Sequence, residues 1–373
     1  NFVIKPLKAQ STTITHLRCC AYDTHKINVY YLVCFSFVKD GVLYLKPTLT
    51  TDEYEEDVLY RGAIAEPGCN MDPCVSYAGE DIALPIQSAR IRTINSFSFL
   101  YGRVEVRAKL PRGDWIWPAI WMKPRHNEYG PWPSSGEIDI MEARGNKKLT
   151  TAAGVSQGVD TIGATLHFGL NSSYNIWRRT HWELSMSYRL CKETQDTNNL
   201  FLASCVPVEP IPNLSEAFPD AMDSKAFIAD DKSIADSGRD FADDFHVFGL
   251  EWTAEHLNFT IDGKLIGSRG VPPGGFWSLG GFDKIEGVHN IWKSGKPMAP
   301  FDKKFFLILN VAVGGNFFTD GWYNSPHPKP WNRSSPHPMQ DFWEHRDWWL
   351  PTWDEEDISL KVDYVRVYCY DCE

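Results

Sequence analysis

The chain has 373 residues, 43% of them hydrophobic and 14% aromatic, enough for a sizeable core, and its formal net charge is −11. That charge argues against nucleic acid or an anionic membrane as partner, since both are held by clustered Lys and Arg. No run of 18 or more apolar residues occurs, which excludes a membrane-spanning helix on sequence grounds.

Read from the N-terminus, residues 1–35 show no clear period and match nothing recognisable, and they are set apart from a single domain over 36–373. The chain opens at Asn1 without Met, which fits a signal peptide already removed. Gly41 to Pro47 is predicted as a strand ended by proline. Cys69 and Cys74, close together in a stretch with Gly and Pro, are a disulfide candidate. Tyr101 to Pro111 alternates apolar and polar with period two, as a half-buried strand does. Trp115, Trp117 and Trp121 fall on odd positions of one apparent strand and are expected to share a face. Residues 186–235, within a stretch rich in Ser, Asp, Asn and Pro, read as a loop insertion. Phe245 to Trp252, His256 to Ile261 and Lys264 to Ser268 are predicted strands, with Asp262-Gly263 as a hairpin turn. Phe305 to Val313 is a nearly continuous apolar run, as in a strand covered on both faces, and Leu360 to Tyr370 alternates again as a closing strand. Many strands, Gly and Pro punctuation and no long amphipathic helix predict an all-β sandwich or barrel. Cys369 and Cys372 form a C-x-x-C without a second ligand pair at zinc spacing, so no metal and no cofactor is expected. Sequons at Asn171, Asn213, Asn258 and Asn332 lean, with the cysteines, towards a secreted protein.

The sharpest feature is Glu137-Ile138-Asp139-Ile140-Met141-Glu142. In a strand Glu137 and Asp139 share one face, while Ile138 and Ile140 take the other. Glu142, five positions after Glu137, lands on the wrong face unless a β-bulge near Ile140-Met141 corrects the phase. Four effective steps of ~3.3 Å then put the two glutamate backbones ~13 Å apart. Inward-reaching side chains bring their carboxyls towards the ~5–5.5 Å of retaining glycosidases. A solvated strand face is the bland alternative. Packing three acids together costs energy unless they share protons and hydrogen bonds, and a strand flanked by aromatics and prolines is no ordinary surface. An ionised Glu137 disfavours a second charge nearby, so Glu142 is expected to hold a proton. Trp115, Trp117 and Trp121, with Trp132 five residues before the carboxylates, make a row of indoles, and flat indoles beside paired acids are what a polysaccharide cleft needs.

Pro133-Ser134-Ser135-Gly136, the acidic hexapeptide and Ala143-Arg144-Gly145-Asn146 together resemble glycoside hydrolase family 16. Within it the chain is most similar to animal β-1,3-glucanases (laminarinases) and related β-1,3-glucan-binding proteins. Ser88 to Thr93, Gly113 to Trp121, Leu166 to Gly169, Phe245 to Trp252, Ala299 to Asp302, Asn310 to Gly315 and Asp363 to Tyr368 carry the likeness over about residues 38–184 and 236–370. The resemblance implies a β-jelly roll of two curved antiparallel sheets with a concave cleft, acting on β-1,3-glucan as a secreted monomer. It implies Glu137 as nucleophile, Glu142 as general acid/base, Asp139 as helper and His167 as a cleft histidine close to the acid/base. Arg92, Trp117, Trp121, Trp132 and Asn310 are the expected substrate-binding residues. The bulged six-residue motif fits laminarinase-type members better than the five-residue version of lichenases. Some relatives bind β-1,3-glucan in innate immunity without cleaving it, and those typically lose the catalytic glutamates, which are present here. The sequence has no H-E-x-x-H, P-loop or G-x-S-x-G.

Overall fold

A computed structural model describes residues 2–4, 35–65, 75–186, 193–195, 201–203 and 240–371. Cys69, Cys74, Cys372 and most of the 186–235 insertion lie outside the described residues.

Two antiparallel sheets form the body. Their strands, in chain order, are β1 (Phe2–Ile4), β2 (Ser36–Lys39), β3 (Val42–Leu45), β4 (Arg90–Arg92), β5 (Leu100–Lys109), β6 (Ile116–Pro124) and β7 (Glu137–Ala143). They continue with β8 (Thr161–His167), β9 (His181–Ser185), β10 (His246–Trp252), β11 (His256–Ile261), β12 (Lys264–Gly270), β13 (Phe305–Val313) and β14 (Leu360–Asp371). The eight-stranded sheet runs β12-β11-β10-β5-β14-β3-β2, with β1 paired to β14, and the six-stranded sheet runs β9-β8-β7-β6-β13-β4. The predicted strands are all present, and Asp262-Gly263 turns the β11–β12 hairpin with both residues at positive φ. Residues 1–35 contribute one strand that no periodicity announces: Phe2 to Ile4 pair with Val367 to Val365.

The core follows from the alternation. Val104, Val106 and Ala108 of β5 and Phe248, Leu250 and Trp252 of β10 point inward from one sheet. Ile120 and Met122 of β6, Ile138 of β7 and Ile162, Ala164 and Leu166 of β8 point inward from the other. On β14 the buried set runs Leu360, Val362, then Val365, Val367. The change of phase falls where its pairing with β5 slips between Val362 and Tyr364, since one extra residue turns every later side chain over. Eight of the 15 tryptophans are buried, so about half of the aromatic excess fills cores rather than lining a surface.

Trp115 departs from expectation. It precedes β6, takes φ of +69° and does not share a face with Trp117 and Trp121. Its ring is buried in a second cluster, edge-on to Phe318 at 5.3 Å and to Trp331 at 5.2 Å. The positive φ redirects the side chain, and reading Trp115 as part of a regular strand missed it. That cluster packs under two short helices, α1 (Pro338–Glu344) and α2 (Arg346–Trp349), through Phe342 and Trp349.

Candidate active site

The six-stranded sheet keeps one face for the core and gives the other to polar and aromatic side chains. Gly136 launches β7 with φ of +85°, and a Cβ there would meet the Phe301 ring at 3.0 Å, so glycine suits this turn on both counts. The loop before it is pinned by the Trp292 indole donating to Ser134 O at 2.7 Å and by Ser134 Oγ donating to Leu170 O at 2.9 Å.

Along β7 the expected bulge is present. Asp139 pairs with Trp121 and Glu142 with Ala119, leaving two residues, Ile140 and Met141, where β6 offers only Ile120. The pairing with β8 slips at the same place, between Asp139 and Glu142. Ile140 and Met141 are both buried, and Glu142 returns to the face of Glu137 and Asp139. Glu137 stands directly opposite His167. Three carboxyls and an imidazole thus converge on one face.

The geometry separates their surroundings. His167 Nε2 lies 3.0 Å from Asp139 Oδ2 and 3.9 Å from Glu137 Oε1. The histidine therefore sits against the nucleophile candidate and its helper, and its charge also acts on Glu142. The 3.0 Å contact is not aligned as a hydrogen bond, and Asp139 Oδ2 is left without one. On its other side His167 Nδ1 is 2.8 Å from Asn175 Nδ2. Glu142 instead receives the Trp117 indole N–H at 3.0 Å.

Burial dominates the electrostatics. It raises Glu137 to about 8, with repulsion from Asp139 next in size and His167 and Lys123 opposing. Burial also raises Asp139 to about 8. Glu142 rises to about 7 through burial and then Asp139, with His167 and the Trp117 hydrogen bond opposing. The expectation that Glu142 alone holds a proton is thus too simple. Trp117 favours the charged form of Glu142, while burial and Asp139 raise Glu137 as well.

The predicted substrate-binding residues separate into kinds. Trp132 stands beside the acids' histidine, 38% exposed, with its ring 5.8 Å from that of His167. Trp117 gives one face to Phe317, stacked at 4.7 Å, so it positions Glu142 rather than offering a free platform. Trp121 donates to Asn310 Oδ1 at 2.6 Å, which ties two of the expected residues together. Arg92 lies on edge strand β4 opposite Ile308, but it is Arg90 whose guanidinium covers Trp121, at 4.9 Å from the ring centre. Arg90 was missed because both arginines lie on one face of a three-residue strand.

Other residues on this face escaped sequence reasoning because only long-range pairing brings them in. Asp139, Thr165 and His181 form one row across β7, β8 and β9, and Glu142, Gly163 and Glu183 form the next. Gly163 leaves room there, since a Cβ would come within 2.8 Å of His181 Cε1. His181 Nδ1 is 2.9 Å from Thr165 Oγ1, and its Nε2 is 3.2 Å from Glu183 Oε1. Arg144, just beyond Glu142, is buried under Phe317 and Trp322, at 3.5 and 4.5 Å from their ring centres. Trp177, from the turn before β9, comes within 6.4 Å of His167, ring centre to ring centre.

Comparison with known proteins fits this arrangement. Residues 70–180, which contain the whole carboxylate strand, match the profile of Glycosyl hydrolases family 16. The chain is 40% identical over 353 residues to a Beta-1,3-glucan-binding protein of Penaeus monodon, covering 89% of this chain and 79% of that one. It is 31% identical to Glucan endo-1,3-beta-glucosidase A1 of Niallia circulans over 75% of this chain and 26% of that protein. Of several other relatives it matches, the chain spans between 45% and 56% of the length. Among solved structures, the catalytic domain of an endo-1,3-beta-glucanase (laminarinase) from Thermotoga petrophila is similar at 22% identity and a TM-score of 0.43, covering 89% of this chain and 79% of that one. With the relative from Penaeus monodon matched over most of both chains, the protein belongs to glycosyl hydrolases family 16.

Proposed function

We propose that this cleft hydrolyses internal β-1,3-glucosidic bonds of β-glucans such as laminarin, with retention of anomeric configuration. One observation carries the reading: Glu137, Asp139 and Glu142 share one face of a single bulged strand, Asp139 buried and the two glutamates half-buried. Glu137 attacks the anomeric carbon and forms a glycosyl ester as the glycosidic bond breaks. Glu142 gives its proton to the leaving oxygen, then takes one from the water that releases the ester. Asp139, beside His167, adjusts the charge on Glu137. Trp132, 38% exposed, offers its indole to the sugar. Glucan as ligand and an endo mode of action are supported by the names of the relatives from Penaeus monodon and Niallia circulans. The chain is read as an extracellular monomer, and among the described residues no helix is long and apolar enough to cross a membrane.

A second reading is glucan recognition without cleavage, favoured by the printed name of the 40% identical relative. Three acids packed at such desolvation cost favour the enzyme, because binding a neutral sugar needs no such cluster. Laminarin affinity and reducing-end release, measured in parallel on the purified chain, decide between the two. Release of new reducing ends supports hydrolysis. Binding without release supports the recognition reading, and the absence of both binding and release would contradict both.

A further inference from the structure

Glu137, Asp139 and His167 bring one ligand atom each to within 4.8 Å of one another. Their arrangement is not that of a hydrogen-bonded triad. A gap of 3.0 Å between His167 Nε2 and Asp139 Oδ2 is ordinary for a donor and its acceptor. Yet Asp139 Oδ2 makes no hydrogen bond, although its side chain is only 4% exposed. Close but misaligned atoms are what two ligands of one ion look like, each aimed at a shared centre rather than at the other. With bonds of ~2.0–2.2 Å to a zinc-like ion, neighbouring ligand atoms stand about 3–3.5 Å apart; the Asp139–His167 pair meets this, and the Glu137 oxygen, 3.9 Å from His167 Nε2, has to move inward to complete the set.

Asn175 supplies an independent sign. Its Nδ2 is 2.8 Å from His167 Nδ1, while its Oδ1 is buried without a hydrogen bond. The orientation of an amide and the tautomer of its histidine partner are assigned together. Turning the amide end for end lets Oδ1 accept from Nδ1–H and removes the unsatisfied oxygen. Nε2 then carries a lone pair facing the two carboxylates. A neutral imidazole whose far N–H is held by an oxygen is the form in which histidine ligates metal.

We propose that Glu137, Asp139 and His167 form a binding site for a divalent transition-metal ion of the zinc class when the cleft holds no glucan. One imidazole and two carboxylates suit such an ion better than Ca²⁺ or Mg²⁺, which prefer oxygen-only shells. The ion replaces the protons that burial favours on Glu137 and Asp139 and occupies the oxygen of Glu137 that would meet the sugar. Zinc and glucan therefore exclude one another, and the ion is an inhibitor rather than a cofactor. No C-x-x-C or zinc-spacing motif points to it, because the three ligands sit on two strands joined by register alone.

Titration calorimetry of the intact chain with zinc chloride, in chelator-free buffer, tests this without requiring turnover. One saturable site is expected, lost when the cleft is first filled with a β-1,3-gluco-oligosaccharide. His167→Ala and Asp139→Asn should each weaken that site by ~100-fold or more, and Asn175→Ala by ~10-fold, as removal of an outer partner does. Circular dichroism checks that each variant is folded, and Glu137→Gln, close to wild type in shape, stands in for any that is not. Zinc binding that is unchanged in folded Asp139→Asn and Glu137→Gln overturns the proposal. So does the absence of any binding to the wild type at ~1 mM zinc, an affinity too weak to matter.

Discussion

The Trp117 indole donates to Glu142 Oε1 at 3.0 Å while its ring lies stacked on Phe317 at 4.7 Å. The stack fixes the ring, and the ring aims one hydrogen bond at the carboxyl assigned to proton transfer. That bond favours the charged form of Glu142 against burial and the neighbouring Asp139, which together raise it to about 7. Trp117 is thus a positioning residue with a measurable electrostatic effect.

Trp117→Phe keeps the stack and removes the N–H. Glu142 must be protonated to act as acid, so a higher pKa extends the protonated range upward. The alkaline limb of kcat/KM on laminarin should move to higher pH by roughly one unit, the equivalent of ~1.4 kcal/mol, within the range of a hydrogen bond to a charged group. A pH profile that keeps its alkaline limb in place while activity falls would assign Trp117 a packing role only.

Glu137→Gln changes little in shape but cannot form the glycosyl ester. Laminarin affinity should stay within a few-fold of wild type. The turnover rate should fall by more than ~100-fold, which corresponds to about 3 kcal/mol or more of barrier. A variant that retains a larger share of activity would contradict the nucleophile assignment.

The carboxylate strand shows how far a sequence alone reaches. Side-chain parity demanded a bulge between Asp139 and Glu142, and the register slips there against both neighbours. Strand parity is a local property, legible without knowing what pairs with what. His181, Glu183, Asn175 and Trp177 were not legible, because only the pairing of β8 with β9 and the turn before β9 carry them to the site. Trp115 was misplaced because its positive φ has no glycine to announce it. Trp117 and Trp121 were placed on the correct face, but their partners Phe317, Asn310 and Arg90 decide what those rings do.

Glu142→Ala should separate the two halves of the reaction. An activated aryl β-glucoside needs no acid and should still glycosylate Glu137. Deglycosylation should stall, and added azide should restore turnover with a β-glycosyl azide as product. Azide without effect on this variant would contradict Glu142 as acid/base.

Asp139→Asn should show its effect in stability against pH. Burial lifts the folded-state pKa of Asp139 from 3.8 to about 8. A group raised in the folded state is cheapest when protonated, so wild-type stability is fullest below about 4 and is lost as pH rises through about 8. Asparagine carries no such charge. Calorimetric melting should find the variant more stable than wild type at pH 8–9 by an amount on the order of 1–3 kcal/mol, and nearly equal to it near pH 4. A constant difference across that window would contradict a buried, elevated Asp139.

Double displacement at Glu137 is tested most directly by proton NMR of the first product released from a β-1,3-gluco-oligosaccharide. The β-anomer should appear first and convert to the α-anomer only at the rate of mutarotation. Initial α-anomer would contradict a retaining mechanism, and a chain that binds the sugar but releases no product at all would contradict hydrolysis itself.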